Sequence, residues 1–228
     1  QLPREIIVPA EGYVVLTEGQ HFGKAISEAG FQLSDRGGEI SLTAGDESGN
    51  LVGFQLDFEL APMEAGVAVG RHVDEEGKIE FLPLRNPTPG RENGTPLVGP
   101  IVISELMYWP RRGDHEYIEL ENISDTAVVL SDEDRSWSIT DAVEFDFPLN
   151  AVIPARGRAL VVPLDPDVFR DVYQISPDVP VYGPYFGSLD NQGETVRLQS
   201  SADVRVDVVG YDTTAPWPTS PKGLGPSL

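Results

Sequence analysis

The amino-acid sequence predicts an all-β chain built from β-sandwich modules in tandem. Short apolar segments rich in β-branched residues, several alternating with polar residues, recur along its 228 residues. Such segments are typical of strands with one buried face. The chain has 23 glycines and 20 prolines, yet hydrophobic residues still make up 40% of it. This balance indicates turn-rich folded β-structure, because disordered chains have few aliphatic residues.

The clearest pair of strands lies near the middle of the chain. IVISELMYWP, residues 101–110, is rich in β-branched and apolar side chains, and EYIELENIS, residues 116–124, alternates. The alternation places Ile118 and Leu120 on one face of a strand and Glu119 on the other. The charged segment RRGDH between the two strands predicts a polar loop.

The segments downstream follow in a specific order. They are FDFP at 145–148, IPARGRALVV at 153–162, a Leu-x-x-x-Gly turn at 189–193 and VDVVGY at 206–211. From about Ile101 to Leu228 this succession resembles the lamin-tail domain, an immunoglobulin-like β-sandwich, in the form found as modules of bacterial exported proteins. The resemblance implies a non-catalytic binding or architectural unit, in bacteria often joined to secreted hydrolases, nucleases or surface proteins.

An internal repeat predicts a related module at the start of the chain. Residues 4–22 share a strand, a Pro-Ala-x-Gly turn and a second strand with residues 150–169. The similarity continues in FQLSDRGGEISL, residues 31–42, against GSLDNQGETVRL, residues 187–198. Repetition over this length implies two copies of one fold.

The two copies are unequal. Residues 1–95 contain the C-terminal part of a first lamin-tail-like sandwich but lack its opening strands, and residues 101–228 form a second, nearly complete one. Residues 96–100 read as a short, stiff linker. Because unpaired strand edges attract another strand, we expect residues 1–95 to be completed by an upstream segment or a neighbouring chain.

Two short helical turns are predicted at equivalent places in the two copies. One is HFGKAISEAG at residues 21–30, and the other is DPDVFRDVY at residues 165–173. In the second, Asp165 fits the N-cap position and Pro166 fits the first turn of a helix.

The charge of the chain excludes several classes of partner. Sixteen basic and 37 acidic residues give a formal net charge of −21, and the acids are spread over both copies. Nucleic acid is excluded as a partner because binding it requires clusters of Lys and Arg. No apolar run of 18 residues is present, so the sequence predicts no membrane insertion.

No recognisable catalytic motif occurs in the sequence. It has no cysteine, no Gly-x-Ser-x-Gly elbow and no phosphate-binding glycine loop, and its three histidines form no metal-binding pair. With 37 acids in the chain, paired carboxylates arise by chance. We therefore expect a protein that is not an enzyme and needs no cofactor.

Calcium is the one ligand for which the sequence offers some support, although ordinary acidic hairpin turns are the usual interpretation of such segments. The acidic turns GDESGN and DEEGK offer the carboxylates of Asp46, Glu47, Asp74 and Glu76, and calcium prefers such oxygen ligands. Neither turn has the EF-hand order. The alternative is that both are ordinary acidic hairpin turns with a glycine at a positive φ.

The loop after the first central strand is the candidate interaction site. Its residues are Trp109, Arg111, Arg112, Asp114 and His115. Trp109 is followed by a proline and two arginines, so we expect its indole to be exposed and available as a platform for carbohydrate. Packing against the core is the alternative for an aromatic residue of a sandwich.

Together these features predict a non-catalytic structural or interaction module of a secreted or cell-surface protein. It would belong to a tandem array or an extracellular assembly and would bind protein partners or assemble with itself by strand pairing. The alternative is an accessory domain that targets an exported hydrolase or nuclease to its substrate, for example by binding carbohydrate.

Overall fold

The computed structural model of the chain describes residues 6–26, 28, 30–46, 48, 50–63, 66–73, 77, 79–214, 217–218 and 227–228. The chain divides into two compact units, Gln1–Leu97 and Val98–Leu228. Strands dominate both units, which confirms the all-β prediction. No helix in the described part of the chain is long and apolar enough to cross a membrane.

The first unit contains two antiparallel hairpins. Strand β1 (Gly38–Gly45) pairs with β2 (Leu51–Leu60), and β3 (Ala68–Val73) pairs with β4 (Ile79–Leu84). Within the described part of this unit, Leu84 is the one buried aliphatic side chain. The described residues of the first unit therefore form almost no closed core.

The helical turn predicted at residues 21–30 differs from the structure. A single π-helical turn spans Glu18–Phe22 and ends where the Gly23 N–H donates to the Glu18 carbonyl at 2.8 Å. The chain then turns back, and the rings of Phe22 and Phe31 stack with centroids 4.8 Å apart. The glycines that follow Phe22 and precede Phe31 disfavour a continuing helix.

The second unit is a sandwich of two sheets. The described residues of this unit form eleven strands. In chain order they are β5 Ile101–Met107, β6 Tyr117–Asn122, β7 Val128–Val129, β8 Ser138–Asp141, β9 Val143–Asp146, β10 Val152–Ile153, β11 Arg158–Val161, β12 Val181–Tyr182, β13 Phe186–Gly187, β14 Thr195–Gln199 and β15 Arg205–Gly210. One sheet has the order β12-β11-β6-β5 and the other has the order β13-β9-β8-β14-β15, while β7 and β10 form a separate pair.

The core of the second unit lies between these sheets. Both sheets contribute side chains that have no solvent exposure, namely Ile101, Ile118, Leu120 and Val161 from one sheet and Ile139, Val196 and Leu198 from the other. The predicted alternation in β6 is confirmed, since Ile118 and Leu120 face this core. Full burial of one such side chain contributes about 1.5 to 3 kcal/mol to stability.

The second predicted helix is confirmed. Helix α1 spans Pro166–Tyr173, and the Asp165 carboxylate accepts the N–H groups of Asp167 at 3.0 Å and Val168 at 3.2 Å. Its Phe169 side chain is buried in a small cluster beside the main core. An N-cap and one apolar anchor thus fix a short helix that would not be stable alone.

The repeated Pro-Ala-x-Gly turns have the same geometry. In residues 9–12 and 154–157 the glycine N–H donates to the proline carbonyl, at 3.0 Å and 2.9 Å respectively. The third residues, Glu11 and Arg156, both have φ of 53°. The repeated sequence therefore folds in the same way at these two places.

Candidate functional site

The β1–β2 hairpin has an exposed apolar face. Its register sets Ile40 opposite Phe58 and Leu42 opposite Leu56, so these side chains lie on one side together with Phe54. The exposed fractions of Leu42, Phe54 and Leu56 are 47%, 55% and 42%. We call these five residues the open face.

The other side of the same hairpin is polar. Glu39 lies opposite Glu59, and Ser41 lies opposite Asp57. The Ser41 hydroxyl donates to the Asp57 carboxylate at 2.6 Å, and this bond, followed by one from Gln55, lowers the pKa of Asp57 below its ordinary value. The hairpin therefore has one polar face that is suited to solvent and one apolar face that is suited to burial.

One end of the open face is covered within the first unit. The ring of Phe81, from β4, packs edge-on against Phe58 with centroids 4.9 Å apart. Leu42, Phe54 and Leu56 lie farther along the hairpin and stay exposed. The sequence predicted unpaired strand edges in this unit but not these residues, although the alternation in FQLDFEL was a signal for them.

The corresponding hairpin of the second unit is buried. The internal repeat aligns Ile40 with Val196 and Leu42 with Leu198, which lie on β14 beside β15. Val196 and Leu198 have no exposed surface, because the opposite sheet covers them. Leu42 is 47% exposed at the equivalent place.

The predicted interaction loop joins β5 to β6. Arg111, Arg112 and Asp114 are exposed, while His115 is half-buried. The His115 backbone N–H donates to the Tyr173 hydroxyl at 2.7 Å, and the two rings meet edge-on. Helix α1 therefore fixes one end of the loop, and its charged side chains face solvent.

The predicted exposure of Trp109 is wrong. Its indole is half-buried and packs against the core of the sandwich. Trp109 directly follows the fully buried Tyr108 at the end of β5, where the core continues beyond the strand. Less of the indole is exposed than the sequence suggested, and carbohydrate binding stays a prediction.

The acidic turns give a mixed result for calcium. The Asp46 carboxylate accepts the N–H groups of Ser48 at 2.8 Å and Asn50 at 2.9 Å, so it organises the turn between β1 and β2. Glu47, Asp74 and Glu76 lie outside the described residues. Among the residues that are described, no three His, Cys, Asp or Glu side chains are grouped to hold a metal ion. Calcium binding stays a prediction.

The family of the chain is given by comparison with known proteins. The family model of the lamin tail domain matches residues 95–213, more than half of the chain. The chain belongs to the lamin tail domain family. This confirms the family that the sequence resembles and supports an immunoglobulin-like interaction module without catalytic function. A search of curated proteins found no match.

Asn122, one of the residues behind the resemblance, is structural in this lamin tail domain. It is fully buried at the end of β6. Its amide nitrogen donates to the carbonyls of Thr126 at 2.8 Å, Pro154 at 2.9 Å and Ile153 at 3.1 Å. Its amide oxygen accepts the N–H of Ser124 at 2.9 Å and the hydroxyl of the same residue at 2.7 Å. One side chain thus joins the end of β6 to the repeated turn.

Glu116 has a similar role at the start of β6. Its half-buried carboxylate accepts the Leu189 N–H and the Tyr185 hydroxyl, each at 3.0 Å. Burial is the largest cause that raises the pKa of Glu116 above its ordinary value, and the nearby charge of Glu194 raises this pKa further. The two hydrogen bonds partly offset the rise. The carboxyl therefore holds its proton more tightly in the folded lamin tail domain than in the unfolded chain.

This shift predicts a pH dependence of stability. A carboxyl with a raised pKa contributes stability that is complete below its ordinary pKa of 4.5 and is lost as pH rises through the raised value. Glu116→Gln keeps the hydrogen-bond acceptor but removes the titration. We expect the melting temperature of the variant to rise relative to wild type between pH 4 and neutral pH, measured by thermal unfolding. Parallel profiles would contradict the assignment.

Proposed function

We propose that the chain is a non-catalytic structural and interaction module of a secreted or cell-surface protein, acting within a tandem array or an extracellular assembly. The observation that carries the proposal is the open face of the β1–β2 hairpin. Contiguous apolar surface is uncommon on soluble monomers and marks sites of protein interaction. Leu42, Phe54 and Leu56 are 42% to 55% exposed, although they alternate as core residues do.

The tandem arrangement in the proposal is supported by the repeat. The turns at residues 9–12 and 154–157 share their hydrogen bond and the positive φ of their third residue. The β1–β2 and β14–β15 hairpins each have a register shift shortly after their aligned leucines, Leu42 and Leu198. We infer that the first unit is the back half of another lamin-tail-like sandwich, in addition to the one at residues 101–228, and that its open face requires an opposing sheet.

The location and the class of partner are further parts of the proposal. An extracellular or cell-surface location is proposed because residues 101–228 resemble modules of bacterial exported proteins. The net charge of −21 favours protein partners over nucleic acid or anionic membranes and keeps repeated modules soluble.

Self-assembly through the open face is tested by changing Leu56. We expect the wild-type chain to form species above its monomer mass of 24.8 kDa with rising concentration, measured by size-exclusion chromatography with light scattering. Leu56→Lys should weaken this association about tenfold or more, since burial of a leucine contributes about 1.5 to 3 kcal/mol.

A matched control separates an effect at the open face from the general effect of replacing an exposed aliphatic residue by lysine. Val129 lies on β7 of the second unit and is 52% exposed, close to the 42% of Leu56. Val129→Lys should leave the association unchanged. A folded wild-type monomer at every concentration would contradict the self-assembly part of the proposal.

A further inference from the structure

We propose that the open face binds a two-stranded antiparallel hairpin that has the residue pattern of β5 and β6 and is supplied by a partner polypeptide. This inference rests on the proposed function and names the chemistry of its partner. The buried side of that hairpin carries β-branched and other aliphatic side chains, and its outer side carries acids.

The second unit shows what covers such a face. Val196 and Leu198, which align with Ile40 and Leu42, are fully buried in one cluster with side chains of β5 and β6. Those side chains are all aliphatic, namely Ile101, Ile103, Leu106, Ile118 and Leu120. A face with the same alternation in the first unit therefore fits a pair of strands of the same kind.

One difference between the β1–β2 and β14–β15 hairpins shows which kind of side chain the bound hairpin would contact. In the second unit Asp207 lies opposite Leu198, and its carboxylate accepts the N–H of Ile103 on the outer edge of β5 at 2.8 Å. In the first unit Leu56 lies opposite Leu42. A hairpin bound to the open face would therefore contact the aliphatic side chain of Leu56 at the place where β5 of the second unit contacts the Asp207 carboxylate. The contact at Leu56 is apolar.

Charge favours a separate hairpin over a second copy of the chain. Residues 98–124 contain two basic and five acidic residues, whereas the whole chain has a net charge of −21. Pairing two copies through the open face would bring two such charges together. Self-repulsion of like charge weakens that association, so we expect it only at high concentration. The repulsion is much weaker for a hairpin with a net charge of −3, so the hairpin should bind more tightly than a second copy.

The test adds a synthetic peptide of residues 98–124 to the full chain. We expect a complex of one peptide per chain by titration calorimetry, with increased hydrogen-exchange protection in residues 38–60. Any self-associated species should dissociate into this complex. In the chain, Leu56→Lys should weaken peptide binding at least tenfold.

Two variant peptides test whether binding depends on the apolar side of the hairpin. Ile118→Asp places a charge on the buried side of the hairpin and should abolish binding. Glu119→Gln changes the outer side, and this peptide should bind like the unchanged one. Equal binding of both variants would overturn the proposed orientation.

The other outcomes separate this inference from the proposed function. If Leu56→Lys abolishes self-association and the peptide does not bind, the open face joins two copies, and the hairpin partner is overturned while the assembly stands. Loss of protection in the chain's own residues 101–122, with no gain in residues 38–60, would show that the peptide replaces β5 and β6 of the second unit, which overturns the inference. A monomeric chain that does not bind the peptide overturns both.

Discussion

Replacing Asn122 by alanine is expected to lower the free energy of unfolding of the second unit by about 2 to 4 kcal/mol. The substitution removes the donor to three backbone carbonyls and the acceptor for Ser124. The Ile153 carbonyl belongs to a residue that is fully buried, so water cannot replace the lost bond there without opening the core. The loss is measured by urea unfolding followed through tryptophan fluorescence, since Trp109 and Trp137 pack against this core.

Two further variants show that the amide itself matters. Asn122→Asp preserves the size of the side chain, but its carboxylate cannot donate to the carbonyls and places a charge at a buried site. We expect it to be at least as unstable as the alanine variant at neutral pH. Asn191→Ala, at an exposed loop position, should lie within about 0.5 kcal/mol of wild type. An equally small effect at Asn122 would contradict the role described for its hydrogen bonds.

Local patterns in the sequence were sufficient to predict β6 and α1, though not the turn expected at residues 21–30. Alternation placed Ile118 and Leu120 in the core, and Asp165 with Pro166 marked the start of α1, because these signals depend on neighbours within a few residues. The partners of Asn122 could not be predicted in this way. Two of its hydrogen bonds reach residues 153 and 154, about thirty positions away along the chain.

The surfaces were harder to predict than the strands. The residues around Trp109 suggested an exposed aromatic, but its burial depends on how far the core extends past β5. The open face is a different case, since its alternation is visible in the sequence while its exposure is not. Whether Leu42 or Leu198 is buried depends on the opposite sheet, which local sequence does not encode.

The same substitution at these two aligned leucines therefore has very different expected effects. Leu198→Ala removes aliphatic atoms from a closed core and should lower the free energy of unfolding of the second unit by about 2 to 5 kcal/mol. Leu42→Ala acts on a side chain that is 47% exposed and should change stability by less than about 0.5 kcal/mol at concentrations where the chain is monomeric. Both are measured by chemical denaturation.

Binding should reverse this contrast at Leu42. When the hairpin peptide covers the open face, Leu42 becomes a buried contact, so Leu42→Ala should weaken peptide binding. Leu198→Ala should weaken peptide binding only to the extent that it unfolds the second unit. If instead Leu42→Ala costs as much stability as Leu198→Ala in the free monomeric chain, Leu42 is already buried in solution. The open face would then be closed by residues of this same chain, and a partner that supplies the missing sheet would have no surface left to cover.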